Sequence, residues 1–98
     1  DGRFRFNYYG GRFKAFGPQG ICCNKLAHII VADDINNIIH VVNDSGALQR
    51  VLDTSGQGIL GQLSSPSSLS IDDNGYIWVG EVFSGFIKVL KYLELCYV

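Results

Sequence analysis

The sequence has little of what membrane, disulfide-rich or zinc-binding proteins require. No apolar run approaches the roughly 18 residues that a membrane-spanning helix needs. The three cysteines, Cys22, Cys23 and Cys96, form an odd set without a C-x-x-C spacing, which argues against a disulfide framework and a zinc site. We expect them to be small buried thiols in a reducing compartment. The formal net charge of −1 gives no general attraction for nucleic acid.

The N-terminus also lacks the features of a secretory signal. Asp1-Gly2-Arg3-Phe4 opens on charge and glycine rather than on methionine and an apolar stretch. We therefore expect a cytoplasmic protein of which this chain is a fragment, without a membrane partner.

An internal repeat dominates what the sequence does contain. A displacement of 48 positions aligns residues 18–42 with residues 66–90 without a gap, so that Pro18 meets Pro66 and Ile29 meets Ile77. A displacement of 35 positions aligns residues 4–13 with residues 39–48. A fixed period of this size indicates stacked supersecondary units, each of which buries its apolar face only against a neighbour.

Each unit has the pattern of short β-strands separated by turns. Strands are predicted for residues 19–24, 28–32, 37–42 and 47–52, and in the next unit for residues 67–72, 76–80 and 85–90. Residues 3–8 and 12–16 repeat the last two strands of a unit, and residues 93–98 could supply another fourth strand. Asn74-Gly75 predicts a hairpin with a type I′ turn.

Four antiparallel strands per repeat predict a β-propeller blade. The expected fold is all-β, a partial β-propeller of about two and a half four-stranded antiparallel blades. Residues 1–16 should end one blade, residues 18–52 should form a full blade, and residues 66–98 should form the next, packed face to face on it.

The two units share a residue pattern as well as a spacing. The first contains Pro18-Gln19-Gly20-Ile21, then Ile29-Ile30-Val31-Ala32-Asp33, then Asn36-Asn37-Ile38-Ile39-His40-Val41; the second is more degenerate. This pattern resembles the NHL repeat over nearly the whole chain, and residues 87–93 look like the close of the propeller in tripartite-motif (TRIM) NHL proteins. The resemblance implies a recognition module that recruits substrates to a RING-type E3 ubiquitin ligase. Because the sequence has no ligand cluster with metal spacing, we expect no catalytic residue, cofactor or metal in this chain.

In such a module the loops that follow the second strand of each unit would contact the ligand. The candidate contacts are Asp33, Asp34, Asn36, Asn37, Glu81, Phe83 and Ser84. Asp33 and Glu81 occupy one equivalent position, so they could instead accept backbone N–H bonds within their loops. The acidic loops favour a protein ligand, because carboxylates repel phosphate.

Two other functions remain open. Arg3, Arg5, Arg12 and Lys14 alternate with aromatic residues and could hold single-stranded RNA, although two strands with outward charges would give the same pattern. The alternative is a fragment of a metal-dependent propeller lyase or lactonase. His40 gives this little support, because its buried neighbours Ile39 and Val41 predict that it points to solvent.

Gly56, Gly58 and Gly61 spell the G-x-G-x-x-G motif of dinucleotide-binding proteins. That motif works only where its glycines open a helix, and Pro66 follows too closely for one. We therefore expect a flexible loop and no dinucleotide.

Overall fold

The computed structural model describes residues 6–57 and 61–91, which contain two antiparallel β-sheets. Sheet 1 has the strand order β1-β2-β3-β4 and sheet 2 the order β5-β6-β7. The strands of sheet 1 are β1 (Pro18–Cys23), β2 (Ile29–Asp33), β3 (Ile38–Val42) and β4 (Leu48–Leu52). A 3-10 helix (Ser55–Gln57) precedes sheet 2, whose strands are β5 (Pro66–Ile71), β6 (Tyr76–Glu81) and β7 (Ile87–Lys91). The predicted all-β class and the single sheet within residues 19–52 are confirmed.

Three hairpins share one turn design. In each, an Asn or Asp at the first position uses its side-chain Oδ1 to accept the backbone N–H groups two and four residues later, at Asn24, Asn43 and Asp72. The fourth residue, Ala27, Gly46 or Gly75, has a positive φ of 64°, 90° or 85°. The turn at Asn74-Gly75 is therefore not type I′, which needs a positive φ at both central residues. The hairpin prediction was right and the turn type was wrong.

The two sheets pack through unlike faces. Side chains alternate along a strand, so each sheet has two faces, which we name after one residue each. The Ile30 face of sheet 1 includes Ala32, Ile39 and Val41, and it packs against the Ile77 face of sheet 2, which includes Val79. Ile77 is the repeat counterpart of Ile29, so the Ile77 face of sheet 2 corresponds to the Ile29 face of sheet 1. The interface therefore joins two faces that are not equivalent in the repeat.

Glycine allows the first strands of the two sheets to approach closely. A Cβ atom at Gly20 in β1 would overlap the backbone carbonyl oxygen of Ser67 in β5. β1 and β2 are the strands of sheet 1 that β5 contacts most. A side chain at position 20 would therefore force the sheets apart.

The N-terminal segment covers the opposite, Ile29 face of sheet 1. Residues 6–16 run across this face as turns and irregular chain. The strand predicted over residues 12–16 is therefore wrong, and so is the described part, residues 6–8, of the strand predicted over residues 3–8. Tyr8, Phe13 and Phe16 place their rings around His40 at centroid distances of 4.8–5.6 Å. Packing against sheet 1 outweighs the strand pattern of this segment. Residues 3–5 and 93–98, predicted as strand, lie outside the described residues.

Candidate functional site: the loop end of the two sheets

Four connecting segments meet at one end of the sheets. β2 and β6 end here, and β1, β3, β5 and β7 begin here. The Asp34 N–H donates to the Gly17 carbonyl oxygen at 3.0 Å, and the Val82 N–H donates to that of Ser65 at 3.3 Å. The Ser65 N–H in turn donates to Asn37 Oδ1 at 2.9 Å, which ties the first unit's loop to the second. The structure thus brings together the two loops that the sequence singles out.

Asp33 holds the first of these loops from inside. Its side chain is fully buried, and its Oδ1 accepts the backbone N–H groups of Gly17, Ile35 and Asn36 at 3.0–3.1 Å. Its Oδ2 accepts from Asn36 Nδ2 and His40 Nε2, each at 2.7 Å. Burial by itself raises the pKa of the Asp33 carboxyl, but hydrogen bonds from Asn36, His40 and Gly17 together bring that pKa below its usual value. Asp33 is therefore an ionised anchor that points away from any ligand.

His40 is buried, which contradicts the expectation that it points to solvent. Its Nε2 lies 2.7 Å from Asp33 Oδ2, and its Nδ1 lies 2.7 Å from the Tyr8 hydroxyl oxygen. A carboxylate can only accept, so Nε2 donates, and in the neutral imidazole Nδ1 accepts from Tyr8. Burial, followed by the nearby charge of Asp33, raises the pKa of the Tyr8 hydroxyl. Both ring nitrogens of His40 are therefore hydrogen-bonded within the protein.

Glu81 repeats this anchor in the second unit. Its buried carboxylate accepts from Ser84 Oγ at 2.6 Å, from the Ser64 N–H at 2.7 Å and from Lys88 Nζ at 3.1 Å. Burial opposes these bonds, but together they lower the pKa of Glu81. Lys88 stands where His40 stands in the first unit. The structural alternative, in which each acid accepts backbone N–H bonds within its own loop, is confirmed for Asp33. Glu81 accepts its one backbone N–H bond from Ser64, which lies in the connection before β5, and only the Ser84 hydroxyl comes from its own loop.

The carboxylates are turned inward at this end, and several apolar side chains are exposed there. Ile35, Val82 and Phe86 are exposed, and Phe83 is 86% exposed at the tip of the β6–β7 loop. Asp34 is half-buried, Asn36 and Asn37 are bound within the site, and Ser84 donates to Glu81. Sequence reasoning included Phe83 but missed the apolar character of its surroundings.

The repeat in the sequence also indicates which residues are the buried partners of the two acids. The 48-residue offset that aligns Asp33 with Glu81 also aligns Asn36 with Ser84 and His40 with Lys88. Each acid therefore recurs together with the hydrogen-bond donor three residues later and the basic residue seven residues later. Taken as a set, these positions predict a hydrogen-bonded acid–base pair in place of a solvent-facing histidine.

Of the basic candidates, only Arg12 and Lys14 lie among the described residues, and within these residues their one contact with an aromatic ring joins Arg12 to Phe13. Arg12 and Lys14 are exposed, and Arg12 lies 5.1 Å from the centroid of the Phe13 ring. Phe13 and Phe16 face His40, so these rings are already occupied by packing. Arg3 and Arg5 lie outside the described residues.

Other candidate chemistry receives no support from the described geometry. Within residues 6–57 and 61–91, no group of three or more His, Cys, Asp or Glu side chains could hold a metal ion. Gly56 lies in the 3-10 helix and Gly61 has a helical backbone, so the expected loop is wrong at both positions. Gly58 lies outside the described residues. Cys22 is half-buried and Cys23 is exposed, so the expectation of buried thiols fails for Cys23; Cys96 lies outside the described residues.

None of the helical segments in the described part of the chain is long and apolar enough to cross a bilayer. No protein-family model matches this chain, and no curated protein matches it significantly.

Proposed function

We propose that this chain is part of an NHL-type β-propeller that recognises a protein ligand through the loop end of its sheets. The observation that supports the proposal is the pairing of rigid loops with exposed apolar side chains. Asp33 and Glu81 fix the loop backbones from inside, while Ile35, Val82 and Phe83 face outward. Exposed aromatic side chains on preorganised backbone are typical anchors of protein–protein contacts.

The chemistry of the proposed ligand differs from what the acidic loop sequence favours. Asp33 and Glu81 do not present their charge, because both carboxylates are buried and hydrogen-bonded. We therefore expect a peptide segment with an apolar anchor residue rather than a basic one. In the proposed setting, the propeller would select substrates for a tripartite-motif E3 ubiquitin ligase in the cytoplasm, and this chain would itself have no catalytic activity.

Selection from a displayed random-peptide library on the 98-residue chain tests this proposal. Binders should lose at least about tenfold in affinity when Phe83 is replaced by serine, which corresponds to about 1.4 kcal/mol. The matched control is Leu26→Ser, since Leu26 is also exposed but lies in the β1–β2 turn at the opposite end of sheet 1. Binding that survives Phe83→Ser and is lost in Leu26→Ser would contradict the proposed site.

A single-stranded RNA titration distinguishes the other ligand class. Micromolar or tighter binding that weakens steeply with salt and is lost when Arg12 and Lys14 are both replaced by alanine would favour RNA over a protein ligand.

A further inference from the structure

The N-terminal segment, residues 6–16, is attached to sheet 1 by side chains and not by strand pairing, since it contains no strand. The Tyr8 hydroxyl donates to His40 Nδ1 at 2.7 Å, and the rings of Phe13 and Phe16 pack against the same imidazole. An apolar cleft of about 340 Å³ remains between the segment and β1, so the segment does not fill the surface that it covers. Few backbone hydrogen bonds and incomplete packing are the features of a region that opens locally before the rest of a fold.

The same segment contacts the candidate site directly. Asn36 belongs to the loop between β2 and β3, residues 34–37, which we name the Ile35 loop, and its Nδ2 donates to the Ala15 carbonyl oxygen at 2.7 Å. Gly17, which follows the segment, lies so close to this loop that a Cβ atom would come within 2.8 Å of Ile35 Cγ1. The Ile35 side chain therefore packs against the chain at the point where the N-terminal segment ends.

A second connection runs through the interior of sheet 1. Tyr8 donates to His40, and His40 Nε2 donates to Asp33 Oδ2 at 2.7 Å. The other carboxylate oxygen of Asp33 accepts the backbone N–H groups of Ile35 and Asn36. The carboxylate that holds the Ile35 loop is thus itself held through a residue of the N-terminal segment. When the segment leaves sheet 1, water reaches His40 and competes for the hydrogen bonds that hold the loop.

We propose that docking of the N-terminal segment and order in the Ile35 loop are coupled, so that this segment regulates ligand binding at the loop end. The regulatory part rests on the proposed function, in which Ile35 contacts the ligand. Coupling between two sites is reciprocal, so a ligand that binds the ordered loop must also favour the docked segment. Tyr8 is a positioning residue in this arrangement, because it acts on the loop through His40 and Asp33.

Amide hydrogen exchange, followed by NMR, tests the coupling without a ligand. Tyr8→Phe removes one hydrogen bond and should accelerate exchange of the Ile35 and Asn36 amides at least about threefold. The Ser64 amide, which Glu81 holds in the second unit, is the internal reference and should keep its wild-type rate. Unchanged exchange at Ile35 would overturn the proposal. Equal acceleration at Ser64 would also overturn it, because it would mean a general loss of stability.

Tyr9→Phe is the matched control, since Tyr9 is 77% exposed and its hydroxyl accepts from Asn7 Nδ2. This variant should exchange at Ile35 as the wild type does. Trypsin cleavage after Arg12, within the segment, measures undocking, because a protease requires a locally opened chain. Cleavage should be faster in Tyr8→Phe and unchanged in Tyr9→Phe. Equal cleavage of both variants and the wild type would contradict the role of Tyr8 in docking.

A peptide selected on the wild-type chain, dependent on Phe83 for binding and free of lysine and arginine, tests the regulation. At about ten times its Kd, the peptide should slow trypsin cleavage after Arg12 by about tenfold, since it binds only when the segment is docked. Cleavage that the bound peptide does not slow would refute the regulation and leave the proposed binding site standing. A selection that yields no such peptide would refute the proposed function, and exchange at Ile35 would still decide the coupling.

Discussion

Replacing Asp33 with alanine should be among the most destabilising single changes in this chain. The substitution removes the acceptor for three backbone N–H groups and two side-chain donors. Water could reach the loop N–H groups of exposed Ile35 and half-buried Asn36, but His40 is completely buried beneath aromatic rings. Breaking a buried, charge-assisted pair of this kind costs about 3–5 kcal/mol.

The same substitution at Glu81 should cost less. Lys88 is partly exposed and also donates to the Gln62 carbonyl oxygen, so it keeps a partner after the carboxylate is removed. Ser84 is exposed and can turn to water. We therefore expect Glu81→Ala to cost about 1–2 kcal/mol, within the usual range for a hydrogen-bonded group whose partners can be resolvated.

Urea unfolding at low micromolar concentration, followed by circular dichroism, measures both values. Asp34→Ala is the matched control, since Asp34 is half-buried and adjacent to Asp33, and it should change stability by less than about 0.5 kcal/mol. Equal effects at positions 33 and 34 would refute the anchor role of Asp33. A larger loss at Glu81 than at Asp33 would refute the reasoning about His40.

The dependence on pH should follow the same anchors. The folded-state pKa values of Asp33 and Glu81 are both lowered, so the stability they contribute is complete above their unfolded pKa values of about 4. This contribution is lost as the pH falls through the lower, folded-state pKa values. The urea concentration at the unfolding midpoint should therefore decrease as the pH is lowered from about 5. The decrease should be smaller in Asp33→Asn, because asparagine has no carboxylate to protonate. An unchanged acid dependence in this variant would show that Asp33 is not one of the responsible groups.

Four further substitutions have expected outcomes that thermal unfolding can check. Ala27→Gly should stabilise the chain by about 0.5–1 kcal/mol because it relieves a positive φ, whereas Gly75→Ala in the equivalent turn should have the opposite effect; equal signs would contradict the shared turn design. Gly20→Ala should destabilise by about 1–3 kcal/mol because its Cβ meets the Ser67 carbonyl, and a neutral result would contradict the close approach of the sheets. Phe83→Ser should leave stability within about 0.5 kcal/mol, and a large loss would place Phe83 in the fold rather than on a free surface.

The repeat and the strand pattern were sufficient to predict the two sheets, because β-strand alternation and turn residues are local signals. The conformation of Ala27 could not be predicted, since alanine is not a residue that favours positive φ. The turn is formed by the Asn24 side chain, and position 27 adopts the required geometry despite its residue type.

The environment of His40 was missed for a different reason. Alternation along β3 separates two faces, but it does not say whether the second face meets solvent or other protein. Residues 6–16 cover that face through Tyr8, Phe13 and Phe16, a contact between segments distant in sequence. The alternation of side chains along one strand carries no information about a contact with a distant segment. The acid and the base that recur seven residues apart in both units do indicate that these side chains are buried together.

The two buried anchors have a consequence for how this repeat can change. One unit joins a short carboxylate to an imidazole, and the other joins a longer carboxylate to a flexible ammonium. If only the acid were exchanged between the units, the length of its side chain would no longer match the position of the base. The buried carboxylate would then lose its hydrogen-bond partner. The side chains at positions 33, 36 and 40 therefore depend on one another. Replacing all three by their counterparts in the second unit, Asp33→Glu with Asn36→Ser and His40→Lys, should cost less stability than Asp33→Glu alone.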